Sequence, residues 1–138
     1  NPQELFGKLY PEVVLTPHEG EFQNLFNVTG NKMQRAQEAA RLCRATILLK
    51  GADTVIAHPS GLTLIQDEGC PDLATGGTGD ILAGMIGALL AEGMPALAAA
   101  GCASYVHVKA GQRIGLGLIA EDLPLRIPEI LKELLLRD

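Results

Sequence analysis

A strand that is apolar without alternation has no face to give to water. Thr46-Ile47-Leu48-Leu49 is such a run, closed by Lys50. It lacks the period-two pattern of a half-exposed antiparallel strand, so it fits a sheet covered on both faces, as in α/β proteins. Helical stretches on either side can supply the covers. From Asn31 to Arg44, Met33, Ala36, Ala39, Ala40 and Cys43 recur at three- and four-residue spacing. From Thr78 to Leu90, Ile81, Leu82, Met85, Ile86, Leu89 and Leu90 form an apolar stripe, with Gly84 and Gly87 read as room for a close neighbour. Pro95 to Ile114 is rich in Ala and reads as a central helix.

Shorter elements fill the remainder. Asn1 caps and Pro2 opens a short helix expected to stop near Leu9. Val13 to Leu15 is a brief buried strand that turns at Thr16-Pro17, and Glu19 to Phe26 a short helix with Phe22, Leu25 and Phe26 on one face. Val55–Ala57 and Leu62–Ile65 read as a hairpin around Pro59-Ser60-Gly61, and Gln66 to Gly77 as a loop. Asp122 to Leu136 supplies the last helices, with interruptions expected at Pro124 and Pro128. Strands alternating with helices indicate a layered α/β sheet flanked by helices. The 138 residues fit one domain, 1–138.

Charge and cysteine usage exclude several functions. The net charge is −5 and no Lys/Arg cluster stands out, which argues against a nucleic-acid surface. An anionic ligand must therefore be held by local groups, backbone amides at helix ends first among them. Cys43, Cys70 and Cys102 are far apart and odd in number, so neither a disulfide frame nor a structural zinc site is expected. They read as buried or half-buried free thiols in a reducing cytoplasm. No uncharged apolar run approaches the ~18 residues of a membrane span, and no signal peptide opens the chain. A cytoplasmic location without membrane partners is expected. Because it opens on Asn1 rather than Met, the chain reads as a fragment or processed product.

The chemistry concentrates in Thr75-Gly76-Gly77-Thr78-Gly79-Asp80, just before a helix. Glycines let the backbone take positive φ and come close to a ligand. The first-turn amides and the macrodipole then favour an anion such as phosphate. A carboxylate at that mouth is unfavourable unless it has a task, such as taking a hydroxyl proton, or a bridging Mg²⁺. The plainer reading is a glycine turn with Asp80 stabilising the helix start. No Gly-Lys-Ser/Thr follows, so the loop is not of the Walker type, and it is not a G-x-G-x-x-G fingerprint.

Three blocks together decide more: Leu15-Thr16-Pro17-His18-Glu19-Gly20-Glu21, then Leu48 to Ile56 (LLKGADTVI), then Ala74 to Gly84 (ATGGTGDILAG). In that order and spacing the chain resembles the nucleotide-dependent NAD(P)H-hydrate dehydratases of the ribokinase-like superfamily. Ala110-Gly111, Gly117 to Ala120 and Asp122-Leu123 resemble the family's tail. The resemblance covers nearly the whole chain but only the C-terminal half of the family domain. It implies a ribokinase-like layered fold and repair of hydrated NADHX or NADPHX to NADH or NADPH. ADP or ATP would be consumed, with Mg²⁺. It also implies that the ring hydroxyl is phosphorylated and then eliminated. By motif, Asp80 would be the base and contact the hydrate, and His18 would contact the hydrate too. Gly79 would bind the nucleotide through its backbone. Lys50, Gly51, Ala52, Asp53 and Thr54 would line the nucleotide site. A homo-oligomer is expected, with an N-terminal half of the domain, or a fused domain, lying outside this chain. Two positions depart from the pattern: Glu19 replaces the usual Pro, and Gln112 stands where Asp often follows Ala-Gly.

Taken without the resemblance, several of these residues have plainer duties. Lys50 suits the carboxyl end of a strand, where open α/β sheets bind ligands, or a capped sheet edge. The Asp53 side chain suits a turn, and Glu21 can cap a helix or orient the His18 loop. Thr75 and Thr78 can serve phosphates or caps. His58 and His107 read as solvated or packed, and no spacing links them as metal ligands. Two other functions compete. One is a sugar or vitamin-precursor kinase of the same superfamily, which would leave the phosphate on its product. The other is a non-catalytic nucleotide-binding module or an inactive fragment.

Overall fold

Four strands form one mixed sheet in spatial order β1 (Val14–Leu15), β2 (Thr46–Leu49), β3 (Thr54–Ala57) and β4 (Thr63–Gln66). The computed structural model describes residues 1–136, so residues 137–138 of the expected domain lie outside it. β1 and β2 run parallel, with Val14 opposite Thr46 and Leu15 opposite Ile47. β2, β3 and β4 run antiparallel to one another in succession. The parallel crossover from β1 to β2 passes through α2 (Glu19–Leu25) and α3 (Lys32–Cys43). After β4 come a 3-10 turn (Pro71–Leu73), α4 (Thr78–Ala91), α5 (Ala96–Ile114), a second 3-10 turn (Ala120–Asp122) and α6 (Leu123–Leu135); α1 is Pro2–Phe6.

Every residue of β2 is buried, and its side chains divide between two cores. Ile47 and Leu49 pack with Val55 beneath Phe22, Phe26 and the Ala36, Ala39, Ala40 and Cys43 stripe of α3. Leu48 and Ile56 point the other way, against Leu82 and Ile86 of α4 and Ala100 and Ala103 of α5. Each large aliphatic side chain so buried contributes about 1.5–3 kcal/mol. Small alanines on α3 and α5 let both helices lie close to the sheet. Val106, Ala110, Leu118, Leu123 and Ile130 form a third cluster that joins α5 to α6.

The structure corrects five expectations. α1 ends at Phe6, short of Leu9. The segment after β4 holds the 3-10 turn instead of being loop throughout, and Gln66 belongs to β4. Gly84 and Gly87 face open space, since a Cβ at either would meet nothing within 4 Å. Cys102 is exposed, whereas Cys43 is buried and Cys70 intermediate. α6 is continuous through both prolines. Pro124 falls in the first turn, where the amide is not needed, and Pro128 forfeits one hydrogen bond. The packing of Leu123, Ile127, Ile130 and Leu134 on the third cluster offsets that loss.

Candidate functional site

The carboxyl ends of the two parallel strands meet the glycine loop. β1 runs out into Thr16-Pro17, and the Lys50 amide just past β2 donates to the Pro17 carbonyl at 3.0 Å. This is the edge at which open α/β sheets leave a crevice. His18 then caps α2. Its Nδ1 accepts from the Glu21 amide at 3.1 Å, and its own amide donates to Glu21 Oε2 at 2.9 Å. That reciprocal box satisfies two orphan donors and fixes the TPHEGE segment against the crevice. The His18 amide at its carboxylate holds Glu21 below the usual carboxylate range, and the Lys50 charge acts the same way. Glu19, the departure from the family pattern, pairs with Arg35 of α3, whose hydrogen bond keeps it ionised below the ordinary range. Its charge is therefore already matched.

Opposite lies the loop leading into α4. Gly77, at φ +86°, makes the left-handed turn before the helix. Buried Thr78 ties the loop together: its hydroxyl donates to the Leu73 carbonyl at 2.7 Å or the Thr75 carbonyl at 2.8 Å. Of the four first-turn amides, Thr78 turns to the Thr75 carbonyl, and Asp80 and Ile81 turn to that of Gly77. The Gly79 amide has no such acceptor among the described residues and is left to an outside one. A Cβ at Gly79 would lie 3.2 Å from Lys50 Nζ, so the lysine crosses the loop backbone closely.

Two cavities open on either side of this contact. One, of about 610 Å³, is walled by Thr16, Pro17, Glu21, Lys50, Gly79 and Asp80 among others. The other, of about 870 Å³, is walled by His18, the Gly51-Ala52 turn, Thr54, the Cys70 to Gly76 stretch, Ser104 and His107, and again by Lys50 and Gly79. Both sizes suit small-molecule ligands. Lys50 and Gly79 thus belong to both, Asp80 to the smaller, and His18, Gly51, Ala52 and Thr54 to the larger. Asp53 lines neither. Its carboxylate pairs with Lys32 Nζ at 3.1 Å, an interaction that lowers its pKa. His18 and Asp80 are not walls of the same cavity within this chain.

His107, expected to be solvated or packed, and Ser104, which sequence reasoning did not single out, are both buried in the wall of the larger cavity. His107 Nε2 lies 2.8 Å from the Thr78 carbonyl. Burial pushes the imidazole down from its ordinary pKa, outweighing the Thr78 hydrogen bond, and the Lys50 charge adds to the lowering. The available signal was two polar residues, three apart, on an otherwise Ala-rich helix. Among the described residues no three His, Cys, Asp or Glu side chains could hold a metal ion, and no helix is long and apolar enough to cross a membrane.

Comparison with known proteins bears on the same residues. A family model described as NAD(P)H-hydrate dehydratase matches residues 2–133. The bifunctional NAD(P)H-hydrate repair enzyme Nnr of Moorella thermoacetica is 40% identical over 132 residues, covering 88% of this chain and 25% of that protein. The Bacillus subtilis ADP/ATP-dependent NAD(P)H-hydrate dehydratase, co-crystallised with ATP and Mg²⁺, superposes with a TM-score of 0.78 at 35% identity, over 89% of this chain and 48% of its own. A ribokinase-like superfamily protein of Enterococcus faecalis superposes with a TM-score of 0.80 at 31% identity, over 92% of this chain and 48% of its own. The fold is ribokinase-like, and the chain spans about half the length of the solved structures it matches.

Proposed function

Because this chain belongs to the NAD(P)H-hydrate dehydratase family, we propose that it forms part of a nucleotide-dependent enzyme that returns hydrated NADHX and NADPHX to NADH and NADPH. The observation that carries this reading is local. Asp80 stands at the start of α4, one residue from the unengaged Gly79 amide, where two cavities share the Lys50–Gly79 wall. A base, an anion-binding amide and a cation are thus brought to one point between two ligand-sized spaces.

That placement supports the following roles. The nucleotide, ADP or ATP, takes the larger cavity, along Lys50, Gly51, Ala52 and Thr54, with its phosphates reaching the Gly79 amide and the Lys50 ammonium. The Asp53 carboxylate and carbonyl both accept from Lys32 Nζ, which holds the turn and leaves the Asp53 amide for the nucleotide. His18, on the wall of the larger cavity, meets the hydrate where the two ligands approach. Asp80 accepts the proton of the ring hydroxyl as that oxygen attacks the terminal phosphorus, and AMP or ADP leaves. The phosphorylated ring then loses phosphate: the C–O bond breaks, the neighbouring carbon gives up a proton, and the ring double bond forms. General-base help of this kind is typically worth about 10²–10⁴ in rate.

Among the described residues no group of carboxylates forms a cage for Mg²⁺, but an ion carried on nucleotide phosphates needs only one or two carboxylates. Asp80 fits that requirement, and Mg²⁺ there would relieve repulsion between carboxylate and phosphate. The site residues, the single partial domain over 1–138, a homo-oligomeric cytoplasmic enzyme and completion of the domain by residues outside this chain all belong to the same proposal. The test incubates the full-length protein with NADHX and ADP or ATP. NADH absorbance should rise, and Asp80→Asn should abolish it. Wild-type turnover in Asp80→Asn overturns the mechanism, and a stable phosphorylated small molecule without NADH points to a kinase instead.

A further inference from the structure

Resting on that reading, we propose that His107 is a positioning residue: its Nε2–H, donated to the Thr78 carbonyl, fixes the first turn of α4 and with it the Gly79 amide and Asp80. The donor is 2.8 Å from the carbonyl oxygen. A carbonyl only accepts, so the proton sits on Nε2 and the ring is the neutral Nε2–H tautomer. Burial among the residues of α5 disfavours the imidazolium and keeps it neutral. Thr78 is thereby held from two sides. Its hydroxyl donates to the Leu73 or the Thr75 carbonyl of the loop, and its carbonyl accepts from His107 of α5.

The next residue is Gly79 and the one after is Asp80, so a rotation of the Thr78 peptide moves both. α5 is a rigid platform for this purpose. It carries Ala99, Ala100, Ala103, Val106 and Ala110 in the core. Gly111 on the same helix admits Leu73 and Cys70 so closely that a Cβ would come within 2.9 Å of both. The same helix therefore fixes the loop at its beginning, through Gly111, and at its end, through His107. A histidine that merely filled space would leave the end at Thr78 untied.

The experiment compares His107→Gln, which keeps an N–H donor near the Nε2 position, with His107→Leu, which fills the space without one. Both are made in the full-length protein. In His107→Leu, kcat for NADHX should fall roughly tenfold or more and the nucleotide KM should rise, because Asp80 and the Gly79 amide both lose their placement. His107→Gln should recover most of it. In the unliganded protein, amide exchange at Asp80 and Ile81, whose donors close on Gly77, should accelerate in His107→Leu and not in His107→Gln. Equal kcat and equal exchange in the two variants overturn the proposal. If wild-type protein converts no NADHX, the functional reading fails. The exchange comparison then still decides whether His107 holds the loop.

Discussion

Gly77→Ala separates the geometric demand of the glycine loop from its chemistry. Gly77 sits at φ +86°, and a Cβ there would lie 3.1 Å from the Ala120 Cβ. Holding an L-residue in the left-handed region costs about 1–2 kcal/mol, and the close carbon contact adds to it. With a total of about 2 kcal/mol and an unfolding entropy of roughly 0.29 kcal/mol/K for a chain of this length, the melting temperature should drop by about 7 °C. Gly76, its neighbour, is the control: it has no positive φ, and an added Cβ would meet nothing within 4 Å. Gly76→Ala should stay within about 0.5 kcal/mol of wild type. Thermal unfolding followed by far-ultraviolet circular dichroism reads both. If the two variants melt together, the left-handed turn is not what Gly77 provides, and the loop geometry argued above is wrong.

Two further outcomes follow from burial and charge. A neutral buried His107 with a lowered pKa binds fewer protons folded than unfolded, so stability should fall as pH drops below about 6.5. The lowered pKa values of Glu19 and Asp53 extend that loss to lower pH, because their stabilisation is present above the unfolded carboxylate range and disappears as they protonate. Urea unfolding across pH should show both limbs, and His107→Gln should remove the first. A thiol reagent should label exposed Cys102 in the native protein and reach buried Cys43, whose pKa burial raises, only after denaturation. Equal native labelling would contradict the α3–sheet packing.

The layered fold was legible because β2 advertises itself. A run such as Ile47-Leu48-Leu49 has no polar face, and the structure divides it between two helical layers. The glycine loop and the helix after it were legible for a local reason, since a helix start and its turn are written in consecutive residues. What sequence left obscure depends on distance along the chain. His107 lies 29 positions from Thr78, and nothing in its own neighbours announces the contact. The Arg35–Glu19 pair, which neutralises the departure from the family pattern, joins residues 16 apart. Pro128 was misjudged because helix propensity is local, whereas the apolar stripe that holds α6 together reaches across to α5.

The wall shared by the two cavities has a thermodynamic consequence. Lys50 offers one positive charge to both sides. A phosphate that draws the ammonium toward the larger cavity withdraws it from Glu21 and Asp80, which line the smaller. Occupancy of one cavity must then alter the affinity of the other, and by linkage the factor is the same in either direction. The affinities of the two ligands, each measured alone, should not multiply to that of the ternary complex, and the shortfall or excess measures how strongly one lysine couples them.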